Sequence, residues 1–266
     1  MAPQLRCVTF EIANTLVRLA SPTHALYRKP IVDALRHYRL PVPSDAVMRS
    51  AYRAASDHMS AEWPHYGGPG GIDERTWWKE LVIHLLEHAG CEEALRGGTF
   101  HLVFQRAYSS FGSHCAWLAP DGAREALAHV KKRGLVVGTV CNTYHRYVDN
   151  NLPGLDLHHD LDFAVVSNEV GDAKPAPHMF EVARKRATDA SWLLFDGAKD
   201  AGEVSAPAML HVGTSLANDY LAAKQVGMRA LLLDASGQVV HEQLAGSDVI
   251  RSLRELPAKL DEMVDR

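Results

Sequence analysis

The sequence predicts an α/β fold, namely a Rossmann-like parallel sheet core with an inserted all-helical domain. Apolar runs typical of buried strands recur along the chain, at residues 5–10, 135–140, 162–166, 209–212 and 229–233. Strands that are apolar throughout and separated by helices are typical of a parallel sheet covered on both faces. Only helical patterns lie between the first two runs. We therefore expect a core of residues 1–17 and 116–266, with a helical insertion at 18–115.

The chain has 266 residues, of which 47% are hydrophobic and 23% charged, a composition typical of an ordinary globular protein. Its formal net charge is −4, and both signs are scattered along the sequence. This balance does not indicate a nucleic-acid partner. No apolar run approaches the roughly 18 residues of a membrane-spanning helix, so we expect no membrane association. The oligomeric state does not follow from these features.

The cysteines indicate a reducing compartment. Cys7, Cys91, Cys115 and Cys141 are widely spaced, and two of them lie in apolar, strand-like runs. Such cysteines are expected to be buried thiols. The first strand begins near residue 5, so we expect no removable presequence. The predicted location is the cytoplasm or another reducing compartment, with the mitochondrion as the alternative if the chain belongs to an organellar assembly.

Four helices are predicted in the insertion, at 24–38, 44–59, 73–88 and 92–110. The first ends before Pro41. Ser44 is placed to cap the second, which carries Val47, Ala51 and Ala55 on one face.

Two short patterns in the insertion have alternative interpretations. The glycine-rich segment 66–71 has no preceding strand and no following Gly-Lys-Ser/Thr, which favours a loop over a phosphate cradle. His84, Glu87 and His88 match the His-x-x-Glu-His zinc signature. In a chain with 15 histidines this short pattern arises easily, so surface residues of an amphipathic helix are the favoured interpretation.

After the insertion, strands and helices alternate. The predicted helices are 121–132, 144–151, 177–187, 218–226 and a terminal helix from Ser247. The apolar run 192–197 lies in a long link before the strand at 209, and it predicts an extra edge strand or a contact surface. Asp196-Gly197 within it is interpreted as a turn.

The first strand leads into the most informative stretch of the sequence. It ends at Glu11, a carboxylate followed by small, turn-favouring and hydroxyl residues. A catalytic loop at the carboxyl end of a parallel strand has this form. The pattern resembles the first motif of the haloacid dehalogenase (HAD) superfamily, an apolar strand followed by Asp-x-Asp-x-Thr. Thr15 matches that motif, whereas Glu11 stands at the nucleophile and Ala13 at the general acid/base.

The resemblance implies what these two substitutions remove. In active members the first aspartate attacks phosphorus and its carboxylate also holds Mg²⁺, while the second aspartate protonates the leaving oxygen. Glu11 keeps the charge on a longer arm. Ala13 cannot transfer a proton. Both positions are therefore expected to be vestigial.

The second and third motifs are partly preserved. The resemblance places Cys141 where a Ser or Thr contacts the phosphoryl group, followed by the matching Asn142. A buried structural thiol is favoured over a nucleophile for Cys141, because no partner is visible. Lys174 opens a matching Lys-Pro-x-Pro segment, in which the lysine neutralises the nucleophile and the phosphate. The alternative for Lys174 is a structural ion pair with Glu11 or Asp219.

The fourth motif has lost a carboxylate. Two aspartates bind Mg²⁺ in active members of the superfamily. Here Thr214 replaces one of these aspartates and Asp219 matches the other. Mg²⁺ in such sites depends on carboxylates, so we expect no cofactor, with Mg²⁺ only if residual activity exists.

The resemblance covers nearly the whole chain and includes a helical cap at the insertion. Within the superfamily the chain resembles hydrolases related to HAD-like hydrolase domain-containing protein 3. The leading hypothesis is a catalytically inactive protein, a scaffold or subunit with protein partners. One alternative is a weak phosphatase or dehalogenase-like hydrolase using Glu11 and Lys174. Another is a non-catalytic module that binds a phosphorylated ligand through Thr15, Asn142 and Lys174.

Overall fold

A computed structural model describes residues 3–68, 71–194 and 202–264. The chain divides into two compact units. We call Met1–Arg18 with Ala119–Arg266 the core unit, and Leu19–Leu118 the helical unit.

Parallel strands form the centre of the core unit. Among the described residues, six strands form one sheet in the order β5-β4-β1-β6-β7-β8, and all neighbouring pairs are parallel. A further two-stranded sheet pairs β2 with β3. The strands are β1 Cys7–Phe10, β2 Arg18–Leu19, β3 Trp117–Leu118, β4 Val136–Cys141, β5 Phe163–Val166, β6 Met209–Gly213, β7 Arg229–Leu233 and β8 Val249–Ile250. This sheet confirms the predicted α/β class.

The central strand β1 fixes the position of the loop that follows it. All of its residues are buried, because it lies between β4 and β6 with helices packed on the sheet. Cys7 pairs with Val136 on one side and with Met209 on the other. The carboxyl ends of β1, β4 and β6 therefore meet at one edge of the sheet.

The helical unit contains four long helices among its described residues: α1 Thr23–His37, α2 Asp45–Glu62, α3 Glu74–His88 and α4 Gly97–Phe111. Short 3-10 turns lie at Pro64–Gly67, Glu92–Leu95 and His114–Ala116. Ser44 caps α2 as expected, since its side chain accepts a hydrogen bond from the Val47 amide.

The buried face of α2 differs from the prediction. Val47 is exposed, and the face that packs inward carries Met48, Ala51, Ala55 and Met59. Met48 and Met59 supply the long apolar side chains of this buried face.

In the histidine pattern of α3, the His84 ring packs against His58 of α2. The His84 ring lies 4.2 Å from the His58 ring, centroid to centroid, and His84 Nδ1 lies 3.1 Å from Glu87 Oε2. No group of three or more possible metal-ligating side chains occurs in the described part of the chain.

The helices of the core unit are α5 Ala123–Lys132, α6 Leu152–Gly154, α7 Ser167–Val170, α8 Pro177–Leu194, α9 Ala222–Gln225 and α10 Leu256–Val264. Two π-helical segments, Tyr147–Asn151 and Leu216–Leu221, precede α6 and α9. Further 3-10 turns lie at Ala206–Ala208, Gly246–Asp248 and Leu253–Glu255.

Two predictions about the second half of the chain are wrong. No helix starts at Ser247; Val249 and Ile250 instead form β8 beside β7, and the terminal helix begins at Leu256. Isoleucine and valine in succession favour a strand. The predicted edge strand after residue 191 is helical up to Leu194, because α8 continues. Residues 195–197 of that run, including Asp196-Gly197, lie outside the described residues.

The buried thiols are Cys7, Cys91 and Cys141, whereas Cys115 is exposed, contrary to expectation. Of the helices described by the structure, none has the length and apolar character needed to span a membrane.

Candidate functional site

The Glu11 carboxylate is hydrogen-bonded to the backbone of the loop that follows β1. Glu11 Oε1 accepts hydrogen bonds from the amides of Ile12, at 2.7 Å, and Ala13, at 3.1 Å. The other oxygen, Oε2, lies 2.6 Å from Lys174 Nζ. Both carboxylate oxygens of Glu11 are therefore engaged by donors of the protein.

Lys174 reaches this site from the loop between α7 and α8. The Asn142 side chain holds that loop, since it accepts from the Lys174 amide at 2.7 Å and donates to the Lys174 carbonyl at 2.8 Å. The buried ammonium then donates to Glu11, to the Val140 carbonyl at 2.6 Å and to Asp219 Oδ1 at 2.5 Å. These contacts use all three of its hydrogens.

Asp219 lies in the π-helical segment after β6. Its Oδ2 accepts from the Ser215 amide at 2.8 Å, and its Oδ1 contacts Lys174. The Asp219 carboxylate can lie this close to β6 only because residue 213 is glycine: a Cβ at that position would lie 2.2 Å from the Asp219 carboxyl carbon. The absence of a side chain at Gly213 thus lets Asp219 pack directly on β6.

His211 and Thr9 complete the cluster, and sequence reasoning missed both. Thr9 and His211 face each other across the β1–β6 register, with Thr9 Oγ1 2.9 Å from His211 Nδ1. His211 Nε2 lies 3.3 Å from Asp219 Oδ1. Because an ionised carboxylate only accepts, Nε2–H donates to Asp219, and the Thr9 hydroxyl lies between His211 Nδ1 and the Leu210 carbonyl, 3.3 Å away. The available signal was two polar residues within otherwise apolar strands.

Burial and mutual charge shift the titration of this cluster. Burial raises the pKa of Glu11, although the Lys174 charge opposes the shift. Burial acts in the same direction on Asp219, but its hydrogen bond from His211 and the Lys174 charge outweigh it and hold the Asp219 pKa below its usual range. Burial would lower the Lys174 pKa, but Glu11 and Asp219 together raise it. Burial, aided by the Lys174 charge, lowers the pKa of His211.

The remaining predicted residues lie around this cluster. Cys141 ends β4 as a buried thiol; burial raises its pKa well above the ordinary value, and Sγ lies 3.5 Å from the Val165 carbonyl. Ala13 and Thr214 are partly exposed in the loops after β1 and β6. Thr15 is buried, and in the described structure its hydroxyl has no hydrogen-bond partner. The structure therefore joins Glu11, Lys174 and Asp219 directly, with Asn142 supporting them.

Comparison with known proteins assigns the chain to a family. The model of the haloacid dehalogenase-like hydrolases matches residues 5–227. The chain belongs to the haloacid dehalogenase-like hydrolase family. Among curated relatives, it is 30% identical over 261 residues to mouse haloacid dehalogenase-like hydrolase domain-containing protein 3, covering 97% of this chain and 94% of that protein. It is 24% identical to the rhythmically expressed gene 2 protein of Drosophila melanogaster, covering 93% and 90%.

Solved structures show the same HAD fold. The 2-haloacid dehalogenase of Pseudomonas syringae pv. tomato superposes with a TM-score of 0.68 at 21% identity, covering 97% of this chain and 99% of the dehalogenase. A Bacillus subtilis HAD-hydrolase bound to magnesium superposes with a TM-score of 0.59 at 16% identity, covering 99% and 100%. At these identities the likeness concerns the fold alone.

Magnesium, the usual cofactor of HAD hydrolases, does not fit the donor set present here. Mg²⁺ requires oxygen ligands at about 2.0–2.1 Å in near-octahedral geometry. All four carboxylate oxygens of Glu11 and Asp219 already accept hydrogen bonds from N–H groups. Thr214 supplies no carboxylate. These residues therefore do not support a HAD-type reaction step through a metal ion.

Proposed function

We propose that this chain is a non-catalytic HAD-like protein that serves as a scaffold or subunit in a larger protein assembly. One observation carries the proposal. Both oxygens of Glu11 and all three ammonium hydrogens of Lys174 are engaged by the protein itself. A carboxylate held by the amides of the next two residues, Ile12 and Ala13, is not aimed at a substrate, and a saturated ammonium has no hydrogen left for a phosphoryl oxygen.

The expected cost to catalysis is large. Displacing a reacting group by about 1 Å costs on the order of 10²-fold in rate, and losing a general acid/base costs roughly 10² to 10⁴-fold. In the loop after β1, Glu11 displaces the reacting carboxylate and Ala13 removes the general acid/base, so both reductions in rate apply.

A surface in the core unit supports the scaffold role. Trp192, Leu193 and Leu194 are consecutive at the carboxyl end of α8, with exposures of 55%, 84% and 46%. Contiguous exposed apolar side chains mark interaction sites, and tryptophan is enriched among the residues that dominate binding energy. We assign this surface to the protein partner.

Turnover of a phosphomonoester with millimolar Mg²⁺ tests the missing catalysis. We expect the wild type and Glu11→Ala to give the same background rate. A combined Glu11→Asp, Ala13→Asp and Thr214→Asp variant reintroduces the missing carboxylates, and any activity it gains supports the proposal further. Wild-type turnover that Glu11→Ala abolishes would overturn it.

Assembly is tested separately with the tagged chain in its native cells. We expect it to elute as part of a hetero-assembly on size exclusion. A Leu193→Ser, Leu194→Ser variant should elute at the mass of the isolated chain. Val240 is 91% exposed at a separate position, so Val240→Ser is the matched control and should stay assembled. A wild-type chain that elutes without partners contradicts the scaffold role.

A second candidate is an atypical hydrolase with Glu11 as nucleophile and Lys174 as its charge partner. The 2.6 Å contact between these groups favours it. The same Glu11→Ala comparison, repeated with a 2-haloacid substrate, decides between the two functions. Saturable binding of a phosphorylated ligand without product would instead favour the binding module.

A further inference from the structure

The cluster described above contains one buried cation between two carboxylates. Lys174 Nζ lies 2.6 Å from Glu11 Oε2 and 2.5 Å from Asp219 Oδ1, so it bridges the carboxylates of the first and fourth motifs. Its side chain has no solvent exposure, and that of Asp219 is only 2% exposed. The ammonium therefore contacts both carboxylates directly, without intervening solvent, and offsets one of their two negative charges.

The oxygens that remain are also occupied. The amides of Ile12 and Ala13 donate to Glu11 Oε1, and the Ser215 amide donates to Asp219 Oδ2. A divalent cation would have to displace these amides from the carboxylates. It would also stand beside a buried ammonium, where like charges repel strongly because little solvent screens them.

We propose that Lys174 is the resident cation of this site, taking the place between Glu11 and Asp219 that a divalent cation would need. The folded chain therefore binds no Mg²⁺ there and needs none for stability. Removing the ammonium while keeping the length of the side chain frees Glu11 Oε2 and leaves Asp219 Oδ1 with only the longer, 3.3 Å contact from His211 Nε2. Lys174→Met consequently turns the pair into a site for Mg²⁺ or Mn²⁺.

This inference concerns the same residues as the proposed function, but it rests on the donor geometry and not on the absence of turnover. A chain that hydrolyses a substrate without metal would contradict the proposed function and leave the resident cation intact. A wild-type chain that binds a divalent cation without turnover would contradict the resident cation and leave the proposed function intact.

Mn²⁺ titration followed by electron paramagnetic resonance is the first test. We expect the wild type to show no saturable binding, and Lys174→Met to bind one ion per chain. Lys174→Met should also melt at a lower temperature than the wild type and recover several degrees with millimolar Mg²⁺, whereas the wild-type Tm stays constant. Adding Asp219→Asn to Lys174→Met should abolish both the Mn²⁺ binding and the recovery.

Lys131→Met is the matched control. Lys131 Nζ lies 2.7 Å from Asp162 Oδ1 elsewhere in the core unit, so its loss breaks a Lys–Asp pair without creating a two-carboxylate site. We expect its Tm to be insensitive to Mg²⁺. Saturable Mn²⁺ binding to the wild type that a folded Asp219→Asn chain lacks overturns the proposal. A folded Lys174→Met chain that ignores both cations overturns it as well.

Discussion

The contact between Gly213 and Asp219 gives a sharp test of how the cluster is built. In Gly213→Ala, the new Cβ would lie 2.2 Å from Cγ and 2.3 Å from Oδ2 of Asp219. Carbon atoms pack at about 3.5–4.0 Å, so the carboxylate must retreat by more than about 1 Å. The hydrogen bonds from Ser215 and Lys174, at 2.8 and 2.5 Å, would then be lost or severely weakened.

The magnitude follows from these losses. Overpacking costs about 1–3 kcal/mol, and each hydrogen bond to a charged group contributes about 1.5–3 kcal/mol. We expect Gly213→Ala to lower the free energy of unfolding by about 3 kcal/mol or more. At roughly 2–4 °C per kcal/mol for a chain near this size, the Tm falls by about 6–12 °C.

Guanidinium denaturation measures the change directly. Gly246 has no atom within 4 Å of the position a Cβ would occupy, so Gly246→Ala is the control for replacing a glycine as such. It should leave the stability unchanged or raise it by up to about 1 kcal/mol. Equal unfolding midpoints for the two variants would refute the proposed packing of Asp219 on β6.

Three further variants probe the neighbouring contacts. Asn142→Ala removes both hydrogen bonds to the Lys174 backbone and should lower the free energy of unfolding by about 1–3 kcal/mol; an unchanged midpoint contradicts this. His211 has a lowered pKa, so below pH ~6.5 the unfolded chain gains a proton there that the folded chain does not. The wild type should lose up to about 1.4 kcal/mol per pH unit from this group as pH falls, and His211→Gln should lose less over the same pH series. Thr15→Val removes a buried hydroxyl without a hydrogen-bond partner in the described structure, so denaturation should show equal or slightly higher stability, and a loss above about 1 kcal/mol would contradict this.

Several parts of the fold follow from the sequence for physical reasons. The continuous apolar runs predict buried parallel strands, and five of the six strands of the main sheet correspond to them. Capping chemistry fixes the start of α2 at Ser44. The exception is β8, which has two residues and pairs along one edge only. Such a short strand is determined by its neighbour β7 and leaves no periodic signal in the sequence.

Part of the candidate site also follows from the sequence, and part does not. The ion pair of Lys174 with Glu11 or Asp219 was one of the alternatives open from the sequence, because motifs at the ends of neighbouring strands meet at one edge of the sheet. The return of Glu11 onto the amides of Ile12 and Ala13 depends on backbone geometry that residue types do not encode. His211 joins the cluster through its register with Thr9, which requires knowing that β1 and β6 are neighbours.

The substitutions in this site are coupled through hydrogen bonding, which explains why they should be considered together. With Glu11, one carboxylate oxygen reaches both the loop amides and the other reaches Lys174. We expect a shorter aspartate at position 11 to reach either the amides or the ammonium, and so to release the other donor. Each released donor would then be available to an anionic ligand. Under the proposed function, glutamate at this position has a second effect, since its extra methylene lets the protein satisfy donors that a substrate would otherwise use.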